Sequence, residues 1–263
     1  QRVRETNILP EGVYTKTLLP TYRVFEDDRY FFSTRDSARD FGVSLDTLIH
    51  PFLISVKGGR KRRRVGVKIC EDFWCEDYRE NGESLNVAKI LINNGAEFLI
   101  NHSASPWTYG KNGARDRRAL FLRKDIGDMF VPMIYVNNVG AQNDVDNIVV
   151  FDGGSTVYNR DGQPIMLAKG PYQEDLKIID ESDFNRPSLV RTEKSRAHQL
   201  MEAQIMGLRH VGSGLVVGMS GGIDSALVAG LGVLAYGRKN VLGVNIPSSF
   251  NSASTKNSAQ KEA

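Results

Sequence analysis

The chain has only two cysteines among 263 residues, Cys70 and Cys75. That is too few for a disulfide framework, and their spacing is not that of a zinc site. A reducing compartment is the expectation, with Cys70 a free thiol. Long apolar runs are missing too. The longest, near Ala226–Ala235, falls short of the roughly 18 residues that mark a membrane span. The opening QRVRETNILP carries no apolar signal-peptide core. Nor does one sign of charge dominate. Lys and Arg number 34 against 31 Asp and Glu, a net +3, too little to argue for nucleic acid. The expectation is a cytoplasmic protein with neither a membrane nor a nucleic-acid partner.

What is present fits a globular protein, 41% hydrophobic and 25% charged. The length suggests one large domain or two ordinary ones. The first residue is not Met, and NSASTKNSAQKEA stops inside what reads as an unfinished domain. The chain is therefore expected to be an internal fragment.

Gly12–Leu19 alternates and reads as a strand, with Lys16 near its end and Pro20 stopping it. Thr21–Phe32 is an aromatic, charged loop of the kind that lines pockets or simply packs. Asp46–Val56 is ambiguous between strand and short helix. KGGRKRRR at Lys57–Arg64 could be a nucleic-acid or localisation patch. The modest net charge favours a solvated basic turn instead. Ser84–Asn94 has helical spacing, with Ser84 a candidate cap and Gly95 a terminator. Glu97–Asn101 and Met133–Asn137 read as strands, and Arg115–Phe130 as a basic amphipathic helix. A hairpin is expected between Ile148–Tyr158 and Pro164–Ala168. A linker at Asp180–Ser195 precedes a helix from Lys194, a strand at Leu215–Met219, a helix at Asp224–Tyr236 and a strand at Val241–Ile246. Two βαβ units follow, hence an α/β fold.

Chemistry concentrates in two stretches. In VGVKICEDFW, Val65, Val67 and Ile69 keep the strand period and deliver Cys70 to the strand end. A thiol at such an exit can face a cleft while the sheet holds its backbone. A nucleophilic thiol needs a base or a positive field, and an ammonium can also stabilise an oxyanion. Taken alone, Cys70 is more often structural, and Lys16 reads as a surface residue. In SGGIDS, Ser220–Ser225 joins a strand to a helix, a geometry that presents backbone N–H groups to an anion. Gly221 and Gly222 allow close approach, Ser220 and Ser225 supply hydroxyls, and Asp224 can hold Mg²⁺. An ordinary βα turn is the competing reading, and no Lys follows the last Gly as a Walker loop requires.

KTLLPTYRVFEDDRYF, VGVKICEDFW, LINHSASPW with GK, and FDGGS together resemble the nitrilase superfamily. They look most like the glutamine amidase domain of glutamine-dependent NAD synthetases. LVVGMSGGIDSALVAGL resembles the pyrophosphate loop of N-type ATP pyrophosphatases. VLGVNIPSSFNS resembles the strand and loop that follow in NAD synthetases, with Phe250 where Tyr is more usual. The resemblance implies a nitrilase-like α-β-β-α sandwich, incomplete at its N-terminus, over 1–180. It implies a linker helix and the start of a Rossmann-like adenine nucleotide domain over 181–263.

The same resemblance implies a Glu–Lys–Cys triad, with Lys16 as its lysine and Cys70 as its nucleophile. The Glu71 backbone N–H would join Lys16 in the oxyanion hole. Phe25, Glu71, Ser105 and Lys111 fall where the family contacts glutamine. The triad glutamate belongs upstream of the lysine. Only fifteen residues precede Lys16, with Glu5 and Glu11 too close to it, so the base is expected outside this chain. Glu26-Asp27 stands where Asp-Glu is common, which puts a supporting glutamate there in question. The implied reaction uses glutamine, ATP, Mg²⁺ and nicotinic acid adenine dinucleotide in a homo-oligomer. Two rivals are an amidase feeding another ATP-pyrophosphatase ligase, and a non-catalytic assembly piece.

Overall fold

The computed structural model describes residues 12–23, 25–55, 62–80, 82–144, 147–249 and 252–262. The chain forms two compact units, one of 1–105, 110–138 and 153–191, the other of 106–109, 139–152 and 192–263. Glu5, Glu11, the Lys57–Lys61 part of the basic turn and Phe250 lie outside the described residues.

In the first unit, β1 (Phe52–Ser55) and β2 (Arg62–Ile69) are joined by β5 (Phe98–Ser103) and β6 (Met133–Asn137). β9 (Thr156–Tyr158) and β10 (Pro164–Leu167) complete one six-stranded sheet, ordered β1-β2-β5-β6-β9-β10. Two short strands, β3 (Arg79–Glu80) and β4 (Glu83–Ser84), pair apart from it. β2, β5 and β6 run parallel, with Ile69 opposite His102 and His102 opposite Val136. Their carboxyl ends therefore open on one edge, where α/β sheets place sites. The outer pairings are antiparallel.

Helix Val87–Asn93 crosses from β2 to β5 and buries Val87, Ala88, Leu91 and Ile92. Gly66 makes this packing possible. A Cβ there would lie 2.6 Å from Leu99 Cδ2 and 3.2 Å from Leu91 Cβ. Leu99, Leu122, Met133, Tyr135 and Phe73 share the same core. The helix cap is Asn86, whose Oδ1 accepts from Lys89 N–H at 3.1 Å, and not Ser84. Ser84 Oγ instead donates to the Cys75 carbonyl.

The segment Gly12–Leu19 forms no strand. The N–H groups of Thr17 and Leu18 bond the carboxylate of Asp72 at 3.0 and 2.8 Å, not a strand ladder. Asp46–Val56 divides into a helical turn, Leu45–Leu48, and β1. The expected Ile148–Tyr158 strand is two strands, broken at Gly153 and Gly154, whose φ values are +70° and +66°. Its second half, β9, pairs with β10.

In the second unit, β7 (Val139–Asp144) and β8 (Asn147–Asp152) form a hairpin. Helix Arg196–Val211 is capped by Ser195 Oγ, and Gly207 lies against Ile148. β11 (Leu215–Gly218) and β12 (Val241–Val244) are parallel, joined through helix Ile223–Tyr236. No helix among the described residues is long and apolar enough to cross a membrane.

Candidate active site

Cys70 follows β2 and opens a one-turn 3₁₀ helix, Cys70–Phe73. Its φ is +45°, a region that a residue with a Cβ seldom occupies and that recurs at functional turns. The thiol is partly exposed. Burial pushes its pKa up, opposed first by the Lys16 charge, then by the Ala104 backbone and Lys111. At neutral pH it rests as a thiol, so a base must take its proton before attack.

Lys16 comes from the irregular segment, not from a strand. Its carbonyl accepts from Thr34 N–H at 3.0 Å, and its Nζ donates to Asp27 Oδ2 at 2.6 Å. Each partner is about a fifth exposed, at 20% and 21%. The neighbouring Glu26 turns outward to Arg29. The acidic pair therefore still delivers one carboxylate to the lysine, on a side chain one methylene shorter than glutamate.

Glu71, next to the thiol, is buried. Its carboxylate accepts from Tyr22 Oη at 3.0 Å and from Tyr78 Oη at 3.1 Å. Burial raises its pKa, and these two bonds and the charges of Lys16 and Lys111 act against that rise. Phe25 reaches this group through Tyr22, edge-on at 5.7 Å. Ser105 is buried beyond the end of β5. Asn137 holds it on both sides, accepting from Ser105 N–H at 2.8 Å and donating to the Ser105 carbonyl at 3.2 Å. Lys111 opens helix Lys111–Ile126, with Nζ 4.5 Å from the centre of the Trp74 ring.

The first unit thus gathers Cys70, Lys16 and Glu71, with Lys111 close enough to act on the charge of both acidic groups. Tyr22, Tyr78, Asn137 and Asp72 escaped the sequence reading. Tyr22 lies in the aromatic loop that had suggested a pocket. Tyr78 is seven residues from Glu71 but sits in no motif, and Asp72 and Asn137 owe their roles to partners more than thirty residues away.

In the second unit, the loop after β11 folds on its own hydroxyls. Ser220 and Ser225 Oγ lie 3.1 Å apart, and Ser225 Oγ donates to the Gly222 carbonyl at 3.0 Å. Gly221 has φ +76°, and a Cβ there would lie 2.3 Å from the Thr255 carbonyl. Gly218, Met219, Ser220, Val244, Asn245 and Ile246 help line a cleft of about 220 Å³. Asp224 is exposed in the first turn of the next helix, and the cap position belongs to Gly222. Capping therefore does not account for Asp224. Among the described residues, no three His, Cys, Asp or Glu side chains cluster as a metal centre. A single carboxylate beside a glycine loop fits the chemistry of Mg²⁺, which takes one or two carboxylates and completes its shell with phosphates and water.

A family model described as NAD synthase matches residues 198–263. A glutamine-dependent NAD(+) synthetase of Synechocystis sp. is 34% identical over 251 residues, covering 91% of this chain and 40% of the relative. One of Thermotoga maritima is 33% identical, covering 98% of this chain and 46% of its own length. The chain belongs to the glutamine-dependent NAD synthetase family. It spans less than half the length of these relatives. A solved NAD synthetase of Acinetobacter baumannii, in complex with ADP, superposes with TM-score 0.72 at 28% identity, covering 95% of this chain and 42% of that one. The α/β architecture of both units is thus the family's.

Proposed function

We propose that this chain carries the glutaminase nucleophile and the opening of the ATP site of a glutamine-dependent NAD synthetase. On this reading, residues 1–180 are the later part of the amidase domain and 181–263 a linker helix with the start of the synthetase domain. The observation that carries it is Cys70, held with a left-handed backbone at the end of a parallel strand and within reach of the charges of Lys16 and Glu71.

Cys70 Sγ attacks the side-chain carboxamide carbon of glutamine. The developing oxyanion is met by the Lys16 ammonium and the Glu71 backbone N–H. The proton of the thiol goes to the triad glutamate expected upstream and then to the leaving nitrogen, releasing ammonia and a thioester. Water hydrolyses the thioester and frees Cys70. The buried Glu71 carboxylate, with Ser105, Lys111 and the Phe25 loop, orients the amino-acid end of the substrate. At the second site, ATP adenylates the carboxylate of nicotinic acid adenine dinucleotide. Pyrophosphate leaves into the loop of Ser220, Gly221, Gly222 and Ser225, with Asp224 holding Mg²⁺. Ammonia then displaces AMP to give NAD. The family setting favours a cytoplasmic homo-oligomer.

The test is Cys70→Ala in the full-length protein. Glutamine-dependent NAD formation should vanish, while formation from added ammonium should persist, since the second site is separate. Retained glutamine use would remove Cys70 as the nucleophile. Loss of both activities in a folded variant would count against two sites. Replacing the acid dinucleotide with other carboxylate acceptors decides between this ligase and another.

A further inference from the structure

We propose that Asp72 is a positioning residue for glutamine hydrolysis, its carboxylate setting Lys16 against Cys70; this rests on the reading of Cys70 as the nucleophile. Asp72 is fully buried. Oδ1 accepts from the N–H groups of Thr17 and Leu18 at 3.0 and 2.8 Å. Oδ2 accepts from Tyr14 Oη at 2.9 Å and from Ile69 N–H at 3.0 Å. Three of these donors belong to the segment that carries Lys16, and the fourth belongs to the residue before Cys70. One carboxylate therefore ties the lysine and the thiol to a single point. The segment has no strand ladder to hold it, so these bonds do that work. Asp27 aims the tip of Lys16, while Asp72 and Thr34 fix its backbone.

The geometry also explains why the residue is an acid. Four donors converge on two oxygens, which a carboxylate accepts and an amide cannot. Burial raises the pKa of Asp72 while all four bonds work to lower it, a costly arrangement for ordinary stability. In Asp72→Asn, Oδ1 keeps Thr17 and Leu18, and the Tyr14 hydroxyl can turn to accept. The new NH₂ then faces the Ile69 N–H, so the link to the thiol is the one that breaks.

The experiment uses the full-length protein, with ammonium-dependent synthesis as the control for folding. Asp72→Asn should lower kcat for glutamine by about 10- to 100-fold with KM within about twofold, the pattern of an effect realised in the transition state. The pH midpoint for Cys70 alkylation by iodoacetamide should rise, because Lys16 is the largest charge holding it down. Cys75 does not interfere, being buried with its pKa pushed up to about 11. In a Lys16→Ala background the Asp72 substitution should add little, since both act through one ammonium. If Asp72→Asn does not fold, Tyr14→Phe removes one donor and should shift kcat and the alkylation midpoint in the same directions by less. Additive effects of Asp72→Asn and Lys16→Ala, an unmoved alkylation midpoint, or an equal loss of glutamine and ammonium activities would overturn the inference. Cys70→Ala separates the two claims. If it still uses glutamine, both fall; if it is inactive, those results overturn the role of Asp72 alone.

Discussion

Replacing Lys68 with methionine should stabilise the first unit by about 3 kcal/mol at pH 7, and by almost nothing near pH 10.5. Lys68 sits on β2 and is fully buried. Its Nζ lies 3.6 Å from Met133 Sδ and 5.1 Å from the centre of the Phe73 ring. A thioether is a weak acceptor and a ring face a modest partner, so neither replaces water around an ammonium. Burial is the largest influence on Lys68 and lowers its pKa from 10.5 to about 8, against the opposing charges of Cys75 and Asp72. An amine with a depressed folded pKa binds protons more weakly in the fold. As pH falls from 10.5, the unfolded chain gains protons first and stability is lost. The loss is complete below about 8. At about 1.4 kcal/mol per pH unit, that interval gives the figure above. Methionine keeps the length of the stem and its contacts while removing the charge.

The assay is urea denaturation of wild type and variant between pH 6.5 and 10.5. Both carry Trp107→Phe, so that fluorescence reports on Trp74 in the first unit. Titrating groups that do not interact with Lys68 are common to the two proteins and cancel in the difference. That difference should shrink toward zero as pH climbs from about 8 to 10.5. A variant less stable at pH 7, or a difference flat across the range, would refute the reasoning by showing that the core holds this ammonium at no net cost.

At the glutamine site, Lys16→Ala should cut kcat by about 10²–10³ with little change in KM, as expected for loss of an oxyanion donor. Steady-state ammonia release measures this, and a pure rise in KM would make Lys16 a binding residue only. At the nucleotide site, Gly221→Ala and Asp224→Asn should both lose Mg²⁺-ATP-dependent adenylation while keeping glutamine hydrolysis. The first forces a Cβ to 2.3 Å from the Thr255 carbonyl, and the second removes the charge proposed to hold the cation. Normal adenylation by Asp224→Asn at ordinary Mg²⁺ would remove the metal role.

The parallel strands were legible because their burial is local. Val65, Val67 and Ile69 carry the strand period in their own text, and Met133–Asn137 was bounded to the residue. The loop at Ser220 was legible for the same reason, its shape being set by its own glycines and hydroxyls. Gly12–Leu19 was misread because it alternates like a strand, yet its N–H groups go to Asp72, more than fifty residues on. The β7–β8 hairpin was missed because Gly140, Gln142, Asn143 and Asp144 are poor strand formers. Its register comes from pairing with β8 and not from propensity. Tyr22 went unnoticed in favour of Phe25 because no local rule says which aromatic of a loop will meet a carboxylate 49 residues further along the chain; only the folded turn at Glu71 brings them together.

That turn also explains how three adjacent residues take three different tasks. Had β2 run on through Asp72, the strand period would put Cys70 and Asp72 on one face and Glu71 on the other. The left-handed φ at Cys70 ends the strand there. The 3₁₀ turn that follows has about three residues per turn, so successive side chains splay by about 120°. The thiol stays at the open end of the parallel strands. Glu71 reaches Tyr22 and Tyr78, and Asp72 turns inward to the segment that carries Lys16. Backbone strain at Cys70 is thus what allows the proposed nucleophile, the proposed substrate-orienting carboxylate and the proposed lysine anchor to occupy consecutive positions. The Trp74 N–H closes the turn on the Glu71 carbonyl at 2.7 Å. A residue inserted between Cys70 and Asp72 would rotate the anchor away from Thr17 and Leu18 even if every side chain were retained.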